Sequence, residues 1–231
     1  MSTLIPPAAP DPAAAAKLQI LATEHWSLLA TRSMTYGEGL SRVTIFLAIL
    51  SGAMIALALV AQADHFGLTF ISIAIPLLVV VLFAGVATIS RLNALNRDDY
   101  RWVIGMNRLR HGYIELHPEL EQHFTASPYD DLFGALQTLG IDIDPAAAGG
   151  RLGSVTHLLS TLPGMLTVIV AAVGAAIAAL VALALAAPPP WPPLAAAAGF
   201  ALVLVVLGRS ERRAVTEPSP SLEPRFPSPG R

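Results

Sequence analysis

The sequence predicts an all-α integral membrane protein with four transmembrane helices, the first two forming a long hairpin extended into the cytoplasm. Three observations carry this prediction. Of 231 residues, 54% are hydrophobic and 13% are charged, about half the charge of an ordinary soluble domain. Four stretches, 43–62, 68–90, 165–187 and 191–208, hold no charged side chain, and each is long enough to cross a hydrocarbon core of about 30 Å as a helix. The apolar pattern of the second stretch does not stop at Arg91. Leu92, Leu95, Asp99, Trp102, Met106, Leu109, Tyr113 and Leu116 follow at alternating steps of three and four, a heptad seam interrupted only by Asp99. No proline follows Pro76 until Pro118. The spacing therefore predicts one helix over 68–116, about 70 Å long at 1.5 Å per residue.

Taken in order, residues 1–13 are rich in Pro and Ala, with neither a basic region nor an apolar run of the kind a signal peptide needs, and read as a disordered leader. Residues 14–140 form the helical hairpin with two spans and cytosolic helices. Over 22–40, Ala22, Trp26, Leu29, Ser33, Tyr36 and Leu40 share one stripe, while Glu24, Arg32 and Glu38 fall largely on other faces. In the first span, Ala48, Gly52 and Ala56 make a small-residue face open to close approach by another helix. The connection Ala63-Asp64-His65-Phe66-Gly67 is short enough to turn the chain straight back. Ser127-Pro128 followed by Tyr129, Asp130 and Asp131 reads as a helix start, with Ser as cap and Pro at the first helical position. Gly140 reads as that helix's end. Residues 141–164 read as a linker, with a helical lead-in over 154–161 broken at Pro163-Gly164. Residues 165–208 form a second hairpin with spans 165–187 and 191–208; Gly174, Ala178, Ala182 and Ala186 make another small-residue face. Pro188–Pro193 with Trp191 is read as a non-helical connection at the membrane–water interface. Residues 209–231, rich in Pro and Ser, read as a disordered tail.

All 14 Lys and Arg residues fall outside the four spans and the two short loops that close each hairpin. The positive-inside rule then places both termini in the cytoplasm of a cell with an inner (plasma) membrane.

The chain has no cysteine, which removes disulfides, thiolate metal sites and cysteine nucleophiles. His111 with Glu115, and His117 with Glu121, stand four apart and could ligate a metal if both lay on a helix. Pro118 breaks the helix between them, and a polar helix end beside a loop is the favoured reading. Asp99 is read as a solvated acid flanked by Arg97 and Arg101 in preference to a pairing residue across a helix interface. No span contains an ionisable residue, which argues against ion-coupled transport. No Walker loop or nucleophile elbow is present. The sequence thus predicts no enzyme activity, no cofactor and no metal.

The stretches EHWSLLATRSMTYGEGLSR, FLAILSGAMIALALVAQ and NRDDYRWVIGMNRLRHGYIEL resemble an uncharacterised family of bacterial multi-pass membrane proteins. The layout of two spans flanked by amphipathic cytosolic helices is similar to that of the SLATT group of two-span effectors, and implies membrane effector function by pore formation. The seam and the small-residue faces predict a self-associating membrane scaffold or sensor; the resemblance implies the alternative, a SLATT-like pore-forming effector, and the His/Glu segment 111–123 the second alternative, a membrane-associated metal-dependent enzyme. The expected partners are the lipid bilayer, further copies of the chain (a homo-oligomer) and anionic lipid headgroups beside the Arg91–Arg110 segment, with no nucleic acid. The expected helix-packing interface sets Trp26, Leu29 and Tyr36 against Trp102, Met106, Leu109 and Tyr113.

Overall fold

The computed structural model describes residues 12–140, 161–216 and 222–229. Every regular element among them is helical: α1 (Pro12–Asp64), α2 (Leu68–Leu116), a 3-10 helix (Pro118–His123), α3 (Leu132–Thr138), α4 (Leu162–Ala184) and α5 (Trp191–Thr216). Four of these, α1, α2, α4 and α5, are long and apolar enough to cross a membrane. Residues 1–11, 141–160, 217–221 and 230–231 of the expected leader, linker and tail lie outside the described residues.

Several ends differ from expectation, each for a local reason. Pro163 and Gly164 do not break a helix but begin one. The Thr161 side chain accepts from the Gly164 N–H, and Pro stands in the first turn, where its missing N–H has no intrahelical acceptor to lose. The same physics lets α5 start at Trp191 with Pro192 and Pro193 in its first turn. Ser127-Pro128 is not a helix start; Asp131 caps α3 by accepting from the Gly134 N–H at 2.8 Å. Gly140 does end α3, at φ +69, donating its N–H to the Gln137 carbonyl. Asp64 closes the α1–α2 turn twice over. Its carbonyl accepts from Gly67 N–H at 2.9 Å and its Oδ2 from Phe70 N–H at 2.7 Å, satisfying a donor in the first turn of α2. That turn holds His65 and Phe66 at positive φ.

Two compact units are present. One comprises Tyr36–Arg97 and Pro145–Pro218. Its core interleaves Phe46 and Leu57 of α1, Leu78, Val81 and Ile89 of α2, Leu166 and Val170 of α4, and Leu207 of α5. The buried α1 positions Gly39, Phe46, Ala53 and Leu57 recur at heptad-like steps. The small-residue face of α4 is used. A side-chain carbon at Gly199 of α5 would lie 2.7 Å from Ala178 Cβ and 2.9 Å from the Gly174 carbonyl oxygen. The small face of α1 is not used within the chain: Ala48, Gly52 and Ala56 are exposed, and nothing stands within 4 Å of a carbon added at Gly52.

These two environments predict opposite responses on neighbouring helices. At Gly85, an added carbon meets Val170 Cγ2 and the Phe46 ring, so Gly85→Ala is expected to cost about 1–3 kcal/mol through overpacking. Gly52→Ala meets no atom and should be neutral to stabilising by up to about 1 kcal/mol. Comparing unfolding of the two variants in mild detergent checks both; equal stabilities would contradict the packing described.

The second unit comprises Met1–Thr35, Asp98–Asp144 and Ser219–Arg231. Val103 and Ile104 of α2 pack on Ala135 of α3, with Tyr100, Leu139 and Leu222 around them. Within it α1 and α2 run antiparallel. Lys17 pairs with Glu115 and Arg32 with Asp99, while a carbon added at Gly112 or Gly105 would touch Leu21 or Leu28.

Candidate functional site: an acid pair that holds residues 222–229

Polar side chains in a mostly apolar chain gather in the second unit, and the heptad geometry of α1 and α2 puts them there. The α1 face that meets α2 carries Leu21, His25, Leu28 and Arg32. This corrects the expected interface. Trp26 (72% exposed), Leu29 (41%) and Tyr36 (66%) point away from α2. The true seam lies one residue earlier in phase, and it includes an Arg and a His that a hydropathy reading discounts. On α2, Met106 is buried, while Trp102, Leu109 and Tyr113 are half-buried. The Trp102 indole N–H is shielded and has no acceptor among the described residues. Tyr113 stacks on His25 and on Phe124.

Asp99 is a pairing residue across the helices, not a solvated acid. Arg32 donates Nε–H to Oδ1 at 2.6 Å and Nη2–H to Oδ2 at 3.1 Å. Arg101 pairs with Asp98 instead. A fork of this kind in a half-buried setting is worth more than an exposed ion pair. Reversing either charge, Arg32→Asp or Asp99→Arg, is expected to cost about 1–3 kcal/mol, and the double reversal to restore part of it. A double-mutant cycle by chemical unfolding measures the coupling; zero coupling would mean the contact is not formed. In the first unit, Glu38 makes a similar fork with Arg91 and a further bond with Arg42. Its bonds with Arg91 first, then Arg42, hold its carboxyl down to about 2.

Deeper in the second unit, Asn107 is fully buried and bonded through both ends of its amide. Its Nδ2–H donates to the Tyr129 carbonyl at 2.7 Å, and its Oδ1 accepts from Arg110 at 2.6 Å and Thr138 Oγ1 at 2.9 Å. Thr138 Oγ1 also accepts from the Ser127 N–H. This fixes the 127–131 turn against α2 and aims Asp130 and Asp131 at one place. Arg110 and His25 lie in the same polar band. Burial lowers the Arg110 pKa, with Arg32 adding to it, and burial lowers that of His25, with Arg110 adding to it.

The acid pair binds an extended piece of the chain. Residues 222–229, expected to be disordered, are ordered on this surface. The Asp130 carboxylate, 0% exposed, accepts from Arg108 at 2.7 Å, from the Phe226 N–H at 2.7 Å and from the Arg225 N–H at 2.9 Å. The Asp130 N–H donates back to the Phe226 carbonyl. Asp131 accepts from the Ser228 N–H and Oγ–H, both at 3.0 Å. Arg108 also donates to the Glu223 carbonyl, and the Phe226 ring stacks on His111 at 4.0 Å between centroids. Burial pushes the Asp130 and Asp131 carboxyls up. The Arg225 N–H, Arg108 and the Phe226 N–H outweigh it at Asp130; the Gly134 and Ser228 N–H groups and the Ser228 hydroxyl outweigh it at Asp131. Both end below the ordinary carboxylate range. Pro- and Ser-rich composition signals a segment unable to build its own core. It is blind to capture through backbone N–H groups, which needs no apolar periodicity.

The His/Glu segment takes a different form from the ligand pairs expected of it. His111 Nε2 stands 3.7 Å from Glu115 while its ring is covered by Phe226. His117 bonds Glu119 at 3.0 Å rather than Glu121, because the chain is a 3-10 helix from Pro118. Among the described residues, no three His, Asp or Glu side chains converge as a metal would require. No family model, curated protein or solved structure matches the chain.

Proposed function

We propose that the chain is a multi-pass inner-membrane protein that acts by self-association, as a scaffold or sensor. In this reading the α1–α2 pair is a hairpin that continues past the bilayer, with the second unit and both termini in the cytoplasm. The observation that carries it is the outward face of α1. Trp26, Leu29 and Tyr36 stand exposed beyond the first span, and Ala48, Gly52 and Ala56 are exposed within it. Large apolar side chains left in water at one face of a helix mark an interaction surface, and small residues within a span allow close helix approach. The confinement of Lys and Arg to one side supports the orientation.

The test is chemical crosslinking and mass measurement of the full chain in lipid nanodiscs across a range of protein-to-disc ratios. Dimers or higher species are expected, weakened by Trp26→Asp together with Tyr36→Asp. A strict monomer at every ratio overturns the reading.

A further inference from the structure

We propose that Asp130 and Asp131 with His111 form a peptide-recognition site whose physiological occupant includes residues 222–229 of a second copy of this chain, so that neighbouring copies exchange these arms. This rests on the self-association reading and names the surface that would serve it. The site has the features of a peptide reader. Two carboxylates take the N–H groups of Arg225, Phe226 and Ser228, an aromatic side chain sits on an imidazole, and one hydroxyl is read by Asp131. The chemistry it recognises is an extended segment with an aromatic residue two positions before a serine. Residues 226–228 of this chain supply it.

Three observations favour a second copy over an unrelated protein. First, the segment is an arm. The chain from Pro145 to Pro218 belongs to one unit, and from Ser219 onward to the other. Among the described residues, the hydrogen bonds joining the arm to the rest of the second unit fall on residues 223–228. Second, those bonds are local to the arm, so an identical arm from another copy makes the same set, the condition for exchange of an element between protomers. Third, copies of one membrane-spanning chain share an orientation, so arm and site of neighbours lie on the same side of the bilayer at high effective concentration. The outward face of α1, Trp26, Leu29 and Tyr36, shares no residue with the acid-pair site.

The absence of cysteine allows a direct test in full-length protein. Two differently tagged chains, one with His111→Cys and one with Phe226→Cys, are co-expressed and treated in native membranes with a short bis-maleimide. A chain carrying both substitutions reports the contact itself. Exchange predicts a mixed-tag crosslinked species. A crosslink within the double variant but none between tags overturns exchange and leaves an arm that serves only its own chain. No crosslink in either overturns the site as well. In parallel, a labelled peptide of residues 219–231 is titrated into the full-length Phe226→Ala chain, whose own arm has lost its stacked ring. Binding is expected to fall about tenfold or more when the peptide carries Ser228→Ala and Phe226→Ala together, which removes the charge-assisted hydroxyl bond to Asp131 and the ring stack on His111. Equal affinities of the two peptides would overturn recognition. The nanodisc measurement separates the two levels: association without mixed-tag crosslinks removes only exchange, and a strict monomer removes both.

Discussion

Asp130→Ala is expected to detach residues 222–229 and to be among the most damaging substitutions in the second unit. The side chain is fully buried and accepts from one guanidinium and two backbone N–H groups. Its loss takes the carboxylate partner from half-buried Arg108 and leaves that guanidinium only the Glu223 carbonyl. Breaking a buried ion pair from one side costs about 3–5 kcal/mol. The contacts that remain to the arm are the Ser228 bonds to Asp131, the Phe226 stack, the residue-130 N–H to the Phe226 carbonyl and Arg108 to the Glu223 carbonyl; each is worth about 0.5–1.5 kcal/mol, and without the Asp130 carboxylate they are expected not to hold the segment in place. Asp130→Asn keeps the shape and one acceptor and should cost less. Hydrogen exchange at the amides of 225, 226 and 228 reads the outcome: protection is lost in Asp130→Ala, and persistence would contradict the account. The same bonds set a pH dependence. Both carboxyls are held below their ordinary range, so their contribution is complete above the usual carboxylate pKa of about 3.9. It is lost as pH falls through the lowered folded-state values. Arm protection is therefore expected to hold at neutral and mildly acidic pH and to fail only in strong acid.

Gly199→Val is expected to part α4 from α5. A carbon added at this position would lie 2.7 Å from Ala178 Cβ and 2.9 Å from the Gly174 carbonyl oxygen, and one added at Gly174 would lie 2.6 Å from Val203 Cγ2. One of these neighbours is backbone, so no rotamer change relieves the clash; the helices must separate. The cost is expected at the upper end of overpacking, about 3 kcal/mol, since small residues let membrane helices approach through their backbones. Gly208→Val, where nothing stands within 4 Å of an added carbon, serves as the control. Thermal stability in detergent or nanodiscs compares them. Equal melting temperatures would mean that α4 and α5 do not cross at these glycines.

Much of the helical plan is legible in the residues. The uncharged runs, the heptad continuation past Arg91 and the stops at Leu116 and Gly140 follow from local rules of length, periodicity and capping, and α2 occupies 68–116 as its spacing requires. Helix starts are less legible, because Pro within a first turn reads as a breaker until the preceding cap is seen, as at Thr161.

The composition and its periodicity determined by themselves that the described residues are helical and include four helices long and apolar enough to cross a membrane: hydropathy and length are sums along the chain and need no partner. Only the tertiary structure decided which face of α1 turns inward, because apolar residues occupy more than one of its faces. The choice falls to Arg32 meeting Asp99 and to Leu28 meeting Gly105, each a match between residues far apart in sequence. The docking of residues 222–229 was likewise decided there. Its energy comes from backbone N–H groups reaching two carboxylates nearly a hundred residues away, and a backbone N–H carries no mark in the sequence of where it will bond.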